Sequence, residues 1–186
     1  MAEPADGHTR DHGTEDERTP SPEEELERAL DAAYRYLGRR DRTEVEVRQQ
    51  LEQAGTTGPV LEQAIEILID QRVLDDARYA RLFVEDKRAL DQWGADRIRR
   101  GLLTRGIERE LIEEALSADE SGDADGAHGG GSELQRAVDL LRTRFPSPPR
   151  ERRERDRALG VMLRKGYDSE VAIDALAAYA REPATN

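Results

Sequence analysis

Apolar residues recur at intervals of three and four along most of the chain. The spacing of Leu26, Leu30, Ala33 and Leu37 places them on one face of a helix, and later segments repeat this pattern. Residues that favour helices (Glu, Arg, Leu, Ala and Gln) dominate these segments, while β-branched residues are scarce and few segments alternate with a period of two. The pattern therefore predicts an all-α protein.

Three glycines, Gly55, Gly106 and Gly166, mark an internal repeat. A glycine with positive φ can end one helix, and the next apolar stripe then begins a second helix that packs back on the first. Because the three glycines align, we expect their substitution to have the same effect at each position. The aligned apolar columns, eight and four residues before the glycine and five, six and ten after it, are Val47, Ile98 and Ala158; Leu51, Leu102 and Met162; Val60, Leu111 and Val171; Leu61, Ile112 and Ala172; and Ile65, Leu116 and Leu176.

Another amphipathic helix precedes each of these hairpins, over about residues 24–38, 75–90 and 133–144. Modules of about 50 residues bury little core alone, so neighbouring modules are expected to support each other. Thr43 and Glu46 form a predicted capping box for the second helix of the first module. We therefore predict three tandem three-helix modules that form an elongated helical-repeat protein, at residues 23–74, 75–116 and 133–182.

Two segments lack apolar positions and are rich in acidic residues. Residues 1–22 are predicted to be a disordered acidic tail, residues 117–132 a flexible acidic Gly-rich linker, and residues 183–186 a C-terminal tail. Residues 1–27 and 117–132 together hold fourteen acids and two bases, which accounts for the whole net charge of −12. The rest of the chain is neutral, so the net negative charge of the whole chain does not describe the predicted folded modules.

Candidate catalytic groups are few. The chain has no cysteine, which excludes disulfides, thiolate zinc sites and cysteine nucleophiles. The histidines, His8, His12 and His128, lie in segments predicted to be disordered, where a metal or acid–base site cannot keep its geometry. The glycines at 129–131 lack the Lys-Ser/Thr of a phosphate loop. We expect no catalytic residue, no metal and no cofactor. Without a signal peptide or a spanning segment, the chain is expected to be cytoplasmic. It is also expected to be a monomer.

Arginine is the main candidate for binding, since only Lys87 and Lys165 of the 29 basic residues are lysine. This excess reflects either codon usage in a GC-rich genome or a need for forked donors to carboxylates and phosphates. One cluster surrounds residues 97–105, and residues 142–165 hold nine bases against three acids. Each cluster is either a solvated, ion-paired face or a contact for DNA phosphates or an acidic protein surface. The candidate binding residues are Arg97, Arg99, Arg100, Arg105, Arg150, Arg152, Arg153, Arg155, Arg157 and Lys165.

Aromatic residues interleave poorly with these clusters, so base stacking on single strands is not indicated. Trp93 is the sole tryptophan, and it either fills the core or anchors an interface.

Several motifs resemble the RecX family. Residues 74–84 (Leu-Asp-Asp-Ala-Arg-Tyr-Ala-Arg-Leu-Phe-Val) and 93–102 (Trp-Gly-Ala-Asp-Arg-Ile-Arg-Arg-Gly-Leu) are similar to its aspartate pair, its aromatic–Ala pair and its Gly-Pro-x-Arg-Ile turn and helix. Residues 42–51 and 165–172 resemble its first signature and its closing helix pair, and the resemblance covers about residues 26–116 and 133–181. The chain departs from the family pattern where Ala95 replaces proline, Gly101 stands for glutamate and Val47 for leucine.

The resemblance implies a non-enzymatic modulator of the RecA recombinase in homologous recombination, DNA repair and the SOS response. Members of this family lie in the groove of the RecA–DNA filament, bridge protomers, and limit filament growth, ATP hydrolysis and strand exchange. The residues alone indicate only a tandem helical binder with basic patches. Two alternatives are a stand-alone DNA-binding protein of trihelical modules, whose affinity falls steeply with salt, and a scaffold for an unrelated protein.

Overall fold

A computed structural model describes residues 20–121 and 132–182, and these residues form nine α-helices and no strand. The prediction of an all-α helical repeat is confirmed. No helix in this described part is long and apolar enough to cross a membrane. The helices are α1 (Pro22–Leu37), α2 (Glu44–Gln53), α3 (Gly58–Asp70), α4 (Asp76–Ala89), α5 (Ala95–Leu103), α6 (Arg109–Ser121), α7 (Glu133–Arg144), α8 (Arg152–Lys165) and α9 (Ser169–Arg181).

Buried apolar residues form three separate clusters, one within α1–α3, one within α4–α6 and one within α7–α9. The columns that precede the aligned glycines supply central members of each cluster. Val47 and Leu51 are fully buried in the first, Ile98 and Leu102 in the second, and Ala158 and Met162 in the third. The repeat in the sequence is therefore a repeat of cores. The exact division of the chain into modules stays a prediction.

The aligned glycines end α2, α5 and α8 in the same way. Their φ angles are 89°, 79° and 89° at Gly55, Gly106 and Gly166, as predicted. The residue after each glycine donates its N–H to the carbonyl five residues earlier. These bonds are Thr56 to Leu51 at 3.0 Å, Ile107 to Leu102 at 3.2 Å and Tyr167 to Met162 at 3.1 Å. This Schellman pattern closes each helix and turns the chain into the next one.

The predicted bounds of the disordered tail and of the acidic linker need correction. Helix α1 begins at Pro22 because Ser21 and Glu24 form a capping box, so the predicted disordered tail 1–22 is too long by its last residues. Helix α6 continues to Ser121, into the predicted linker 117–132. Within this last turn, Asp119 forms an ion pair with Arg88 and lies 3.5 Å from Arg136. Local composition cannot reveal partners this distant. Residues 1–19, 122–131 and 183–186, with the three histidines, lie outside the described residues.

The first and second modules meet where α2 begins and α5 ends. Thr43 is fully buried, and its hydroxyl donates to the carbonyl of Arg105 at 2.8 Å while also capping α2. Gly106 packs directly on Val45, since a Cβ at Gly106 would lie 2.8 Å from the Val45 Cβ. The start of α2 therefore rests on the end of α5.

The second and third modules meet in the same way. The N–H of Gly94 donates to the carbonyl of Lys165 at 2.9 Å, and the N–H of Asp96 donates to Gly166 at 3.1 Å. A Cβ at Gly166 would lie 2.5 Å from the backbone nitrogen of Arg97. Thr43 and Gly94 each lie twelve residues before the glycine of their own module, so the two junctions use equivalent positions. Helices α8, α5 and α2 thus meet end to end in that order, and we call them the middle-helix row.

Candidate interaction surface

Two residues of the first arginine cluster are held by contacts within the protein. The Arg97 guanidinium lies 4.2 Å from the centre of the Trp93 ring and donates to the carbonyl of Arg164 at 3.0 Å. Arg99 donates to Glu113 at 2.7 Å and to Asp96 at 2.8 Å. The hydrogen bond between Arg99 and Glu113 raises the pKa of the arginine and lowers that of the glutamate. Arg97 therefore helps to join two modules, and Arg99 ties α5 to α6.

Arg105 also makes internal contacts, on an aromatic group that includes Trp93. Its guanidinium lies 5.0 Å from the centre of the Phe83 ring and donates to the carbonyl of Gly101 at 2.7 Å. Phe83 in turn packs edge-on against Trp93 with 6.3 Å between ring centres. A Cβ at Gly101 would lie 3.1 Å from the Phe83 ring, so glycine allows this close approach. Trp93 is half-buried, with Lys87 and Arg97 over its ring. It therefore neither lies fully in the core nor is free as an interface anchor, the two roles that the sequence left open.

Lys165 belongs to the junction between the second and third modules. Its Nζ donates to the carbonyl of Asp91, whose carboxylate accepts from Lys87 at 2.7 Å. That hydrogen bond from Lys87 lowers the pKa of Asp91. Sequence spacing placed Lys165 in a basic cluster, but its side chain is directed at the neighbouring module.

A run of exposed arginines lies at the start of α8, in residues 150–157, which we call the arginine segment. All eight of its residues are exposed. Five are arginines and three are acids. One ion pair within 4.0 Å is recorded for this segment in the described part of the chain, between Arg152 and Asp156. Together with the exposed Arg100, these arginines are the candidate residues that remain accessible to a partner.

The arginine segment is exposed because α8 has a longer start than α2 or α5. Its N-cap, Glu151, lies fifteen residues before Gly166, whereas Thr43 and Gly94 lie twelve residues before their glycines. Glu151 and Glu154 form a capping box that stabilises this extra turn. The starts of α2 and α5 are covered by the following module, while the start of α8 projects from the third.

Sequence reasoning missed the charged contact under the module junction. Arg88 is nearly buried on α4 and pairs with Asp119, and Arg136 on α7 approaches the same carboxylate. Both arginines lie close enough to Tyr167 for their charge to act on its hydroxyl group. Burial nevertheless raises the pKa of Tyr167 to about 12. Among the described side chains, no group of three or more acidic or histidine residues is placed to hold a metal.

Comparison with known proteins identifies relatives of the same kind throughout. Models of the second and the first three-helix domains of RecX match residues 75–116 and 29–68. A protein named "Regulatory protein RecX" from Deinococcus radiodurans is 33% identical over 83% of this chain and 69% of its own length. Another of that name, from Chromohalobacter salexigens, is 33% identical over 79% of this chain and 90% of its own.

Solved structures agree in fold. The crystal structure of RecX from Lactobacillus salivarius matches with a TM-score of 0.69 at 21% identity, covering 83% of this chain and 96% of that one. A second structure, titled as that of regulatory protein RecX, matches with a TM-score of 0.63 at 24% identity and covers 81% of this chain and 70% of that one. With one third of residues identical over most of both chains in the closely matching relatives, this protein belongs to the RecX family of regulatory proteins.

Proposed function

We propose that this protein binds the RecA recombinase on DNA and limits filament growth, ATP hydrolysis and strand exchange, without catalysing a reaction itself. The observation that carries the proposal is membership of the RecX family, whose relatives are named regulatory proteins. A row of similar modules also suits a repetitive partner, because each module can contact a different protomer or a different stretch of DNA.

The arginine segment is the proposed contact with an anionic surface. Its exposed guanidiniums can bind DNA phosphates or the acidic side chains that line a protein groove, and both interactions are long-ranged at low salt. Arg100, also exposed, is the proposed second contact on the middle module. Arg97 and Lys165 contribute by joining the second and third modules, and Arg99 and Arg105 by stabilising the second module.

The test is a titration of RecA ATP hydrolysis on single-stranded DNA. The wild-type protein is expected to reduce ATP turnover, and to hydrolyse no ATP alone. Changing Arg152, Arg153 and Arg155 to glutamate is expected to weaken filament binding and flatten its salt dependence, because each lost phosphate contact lowers the slope by about 0.7 on single-stranded DNA. Folding is expected to survive, since Ala158 and Met162 keep the core contacts of α8.

A matched control changes three other exposed arginines, Arg39, Arg81 and Arg181, to glutamate. Its net charge is the same as that of the test variant, but the changes are spread over three modules. RecA turnover that stays constant across a broad titration rejects the RecA assignment. Tight, salt-dependent DNA binding without RecA supports the stand-alone DNA-binding alternative. Equal loss of binding in both variants shows that net charge, and not the arginine segment, drives association.

A further inference from the structure

The two outer ends of the middle-helix row, the end of α2 and the start of α8, are exposed. The helix ends inside the row are covered by a neighbouring module. Gly55 ends α2 with the same cap as Gly106 and Gly166, yet no described atom lies within 4 Å of where its Cβ would be. The equivalent glycines of the other modules pack closely on Val45 and Arg97. At the opposite end of the row, the arginine segment at the start of α8 is fully exposed.

We propose that these two ends bind each other between copies of the protein, so that the start of α8 in one copy docks on the Gly55 end of α2 in the next. The contact resembles the junctions within each chain because it joins a helix start to a glycine-capped helix end, but α8 begins about one turn earlier relative to its glycine than α2 and α5 do. Because the two surfaces differ, the association is head-to-tail and can continue beyond two copies. The protein is then a monomer, as expected from its sequence, only when it is dilute, and it associates at higher concentration.

The backbone at the Gly55 end is suited to this contact. In the internal junctions the acceptor is the carbonyl of the residue before the glycine, from Arg105 or from Lys165. The corresponding carbonyl in α2 belongs to Ala54, and no donor in the described part of the chain bonds to it. The Ala54 carbonyl is therefore available to a donor from a further helix start.

The charges at the two ends are complementary. The last turn of α2 has Glu52 and no basic residue, whereas Arg100 lies in the last turn of α5 and two basic residues lie in that of α8. A helix C-terminus also has a partial negative charge of about half a unit. The arginine segment has five arginines against three acids, a net charge of +2, which attracts it to the Glu52 end of α2, while two arginine segments repel each other. Charge therefore favours head-to-tail pairing over pairing of like ends.

The contact joins one helix end to another, so it buries much less surface than the roughly 1,200 Å² of a stable interface. We expect association that is weak and sensitive to salt, and that a covalent trap can report. The absence of cysteine makes such a trap specific. One protein has Gln53→Cys at the end of α2, and a second, distinguished by an affinity tag, has Arg150→Cys before α8. Both positions are exposed.

The two proteins are mixed without RecA or DNA under mild oxidation at low salt. The mixed 53–150 dimer is expected to exceed its share from random pairing several-fold, and a chain with both cysteines is expected to form a ladder of multimers. Molar salt should return the products to random pairing. Moving the second cysteine to the exposed Arg181 is the control, for which random pairing is expected.

A charge exchange tests the orientation. Glu52→Arg in the first protein should reduce the mixed dimer, and Arg152→Glu with Arg153→Glu in the second should restore it. A mixed product at its random share, or one unaffected by Glu52→Arg, overturns the proposal. Predominance of 53–53 or 150–150 dimers overturns it as well, in favour of symmetric pairing. Because RecA is absent, these outcomes are independent of the proposed function.

Discussion

Substitution of the aligned glycines by alanine distinguishes two contributions to stability, that of the helix cap and that of the contact between modules. All three glycines have φ near 80–90°, a conformation that alanine adopts only with strain. Their surroundings differ, because Gly55 faces open space, Gly106 faces a valine side chain and Gly166 faces the backbone of Arg97. The sequence alignment predicts that the three substitutions reduce stability equally, whereas the structure predicts that the loss of stability differs between them.

The magnitudes follow from two additive costs. The left-handed conformation costs alanine about 1 kcal/mol at any of the three positions. Overlap with a packed neighbour adds about 1–3 kcal/mol, and the backbone of Arg97 can move less than the side chain of Val45. Gly55→Ala should therefore lower the melting temperature by roughly 3 °C and Gly106→Ala and Gly166→Ala by roughly 6–12 °C, with Gly166→Ala the larger.

Thermal unfolding followed by circular dichroism measures these differences. Gly38→Ala is a suitable control, because Gly38 ends α1 with φ −64°, which alanine adopts without strain, and its new Cβ would meet the Tyr34 carbonyl only at 3.3 Å. Val45→Ala should partly rescue Gly106→Ala, since it removes two of the atoms that the new methyl group would meet. Equal losses at all three glycines would refute the module junctions, and no loss at any would refute the helix caps.

Three further predictions concern buried polar groups. Thr43→Val should cost about 2 kcal/mol in urea unfolding, since it removes a helix cap and the bond to Arg105, while Thr43→Ser should cost less than about 1 kcal/mol. Asp119→Asn should cost about 1–3 kcal/mol because it leaves nearly buried arginine charge less compensated, and Asp156→Asn on the exposed face should cost almost nothing. Burial raises the pKa of Tyr167 from 10.0 to about 12, so its contribution to stability is present below pH 10 and is lost as the pH rises from 10 to 12. Between about pH 9 and about pH 11.5 the wild type should lose roughly 2 kcal/mol relative to Tyr167→Phe, and parallel urea curves would contradict this.

Much of the fold could be predicted because its determinants are local. Helix periodicity, the Thr43–Glu46 capping box and the three glycine caps each depend on residues within a few positions of each other. Pro146, Pro148 and Pro149 likewise interrupt the helical pattern between α7 and α8 through local backbone restrictions. These features act through the backbone near each residue, so the neighbouring modules do not alter them.

The candidate surface was harder to predict, because spacing shows which residues share a face but not what covers that face. Arg97 reaches Arg164, 67 residues away, and Arg99 reaches Glu113, 14 residues away. The ring beneath Arg105 belongs to Phe83 of helix α4, and Phe83 packs in turn on Trp93 of the following turn. The same limitation hid the last turn of α6, whose Asp119 is stabilised by arginines on two other helices.

Main-chain groups take part in both junctions between modules, beside the side chains that join them, and this affects how such a protein can diverge. The carbonyls of Arg105 and Lys165 and the N–H groups of Gly94 and Asp96 are present whatever side chain stands at each position. Mutation can therefore change a junction side chain without removing these main-chain bonds, provided that small residues remain where two backbones touch. A fold held in this way tolerates extensive drift, which accounts for a shared architecture with a structure only 21% identical. It also makes individual modules exchangeable between distant relatives, so chimaeric chains are a practical route to finding which module selects the partner.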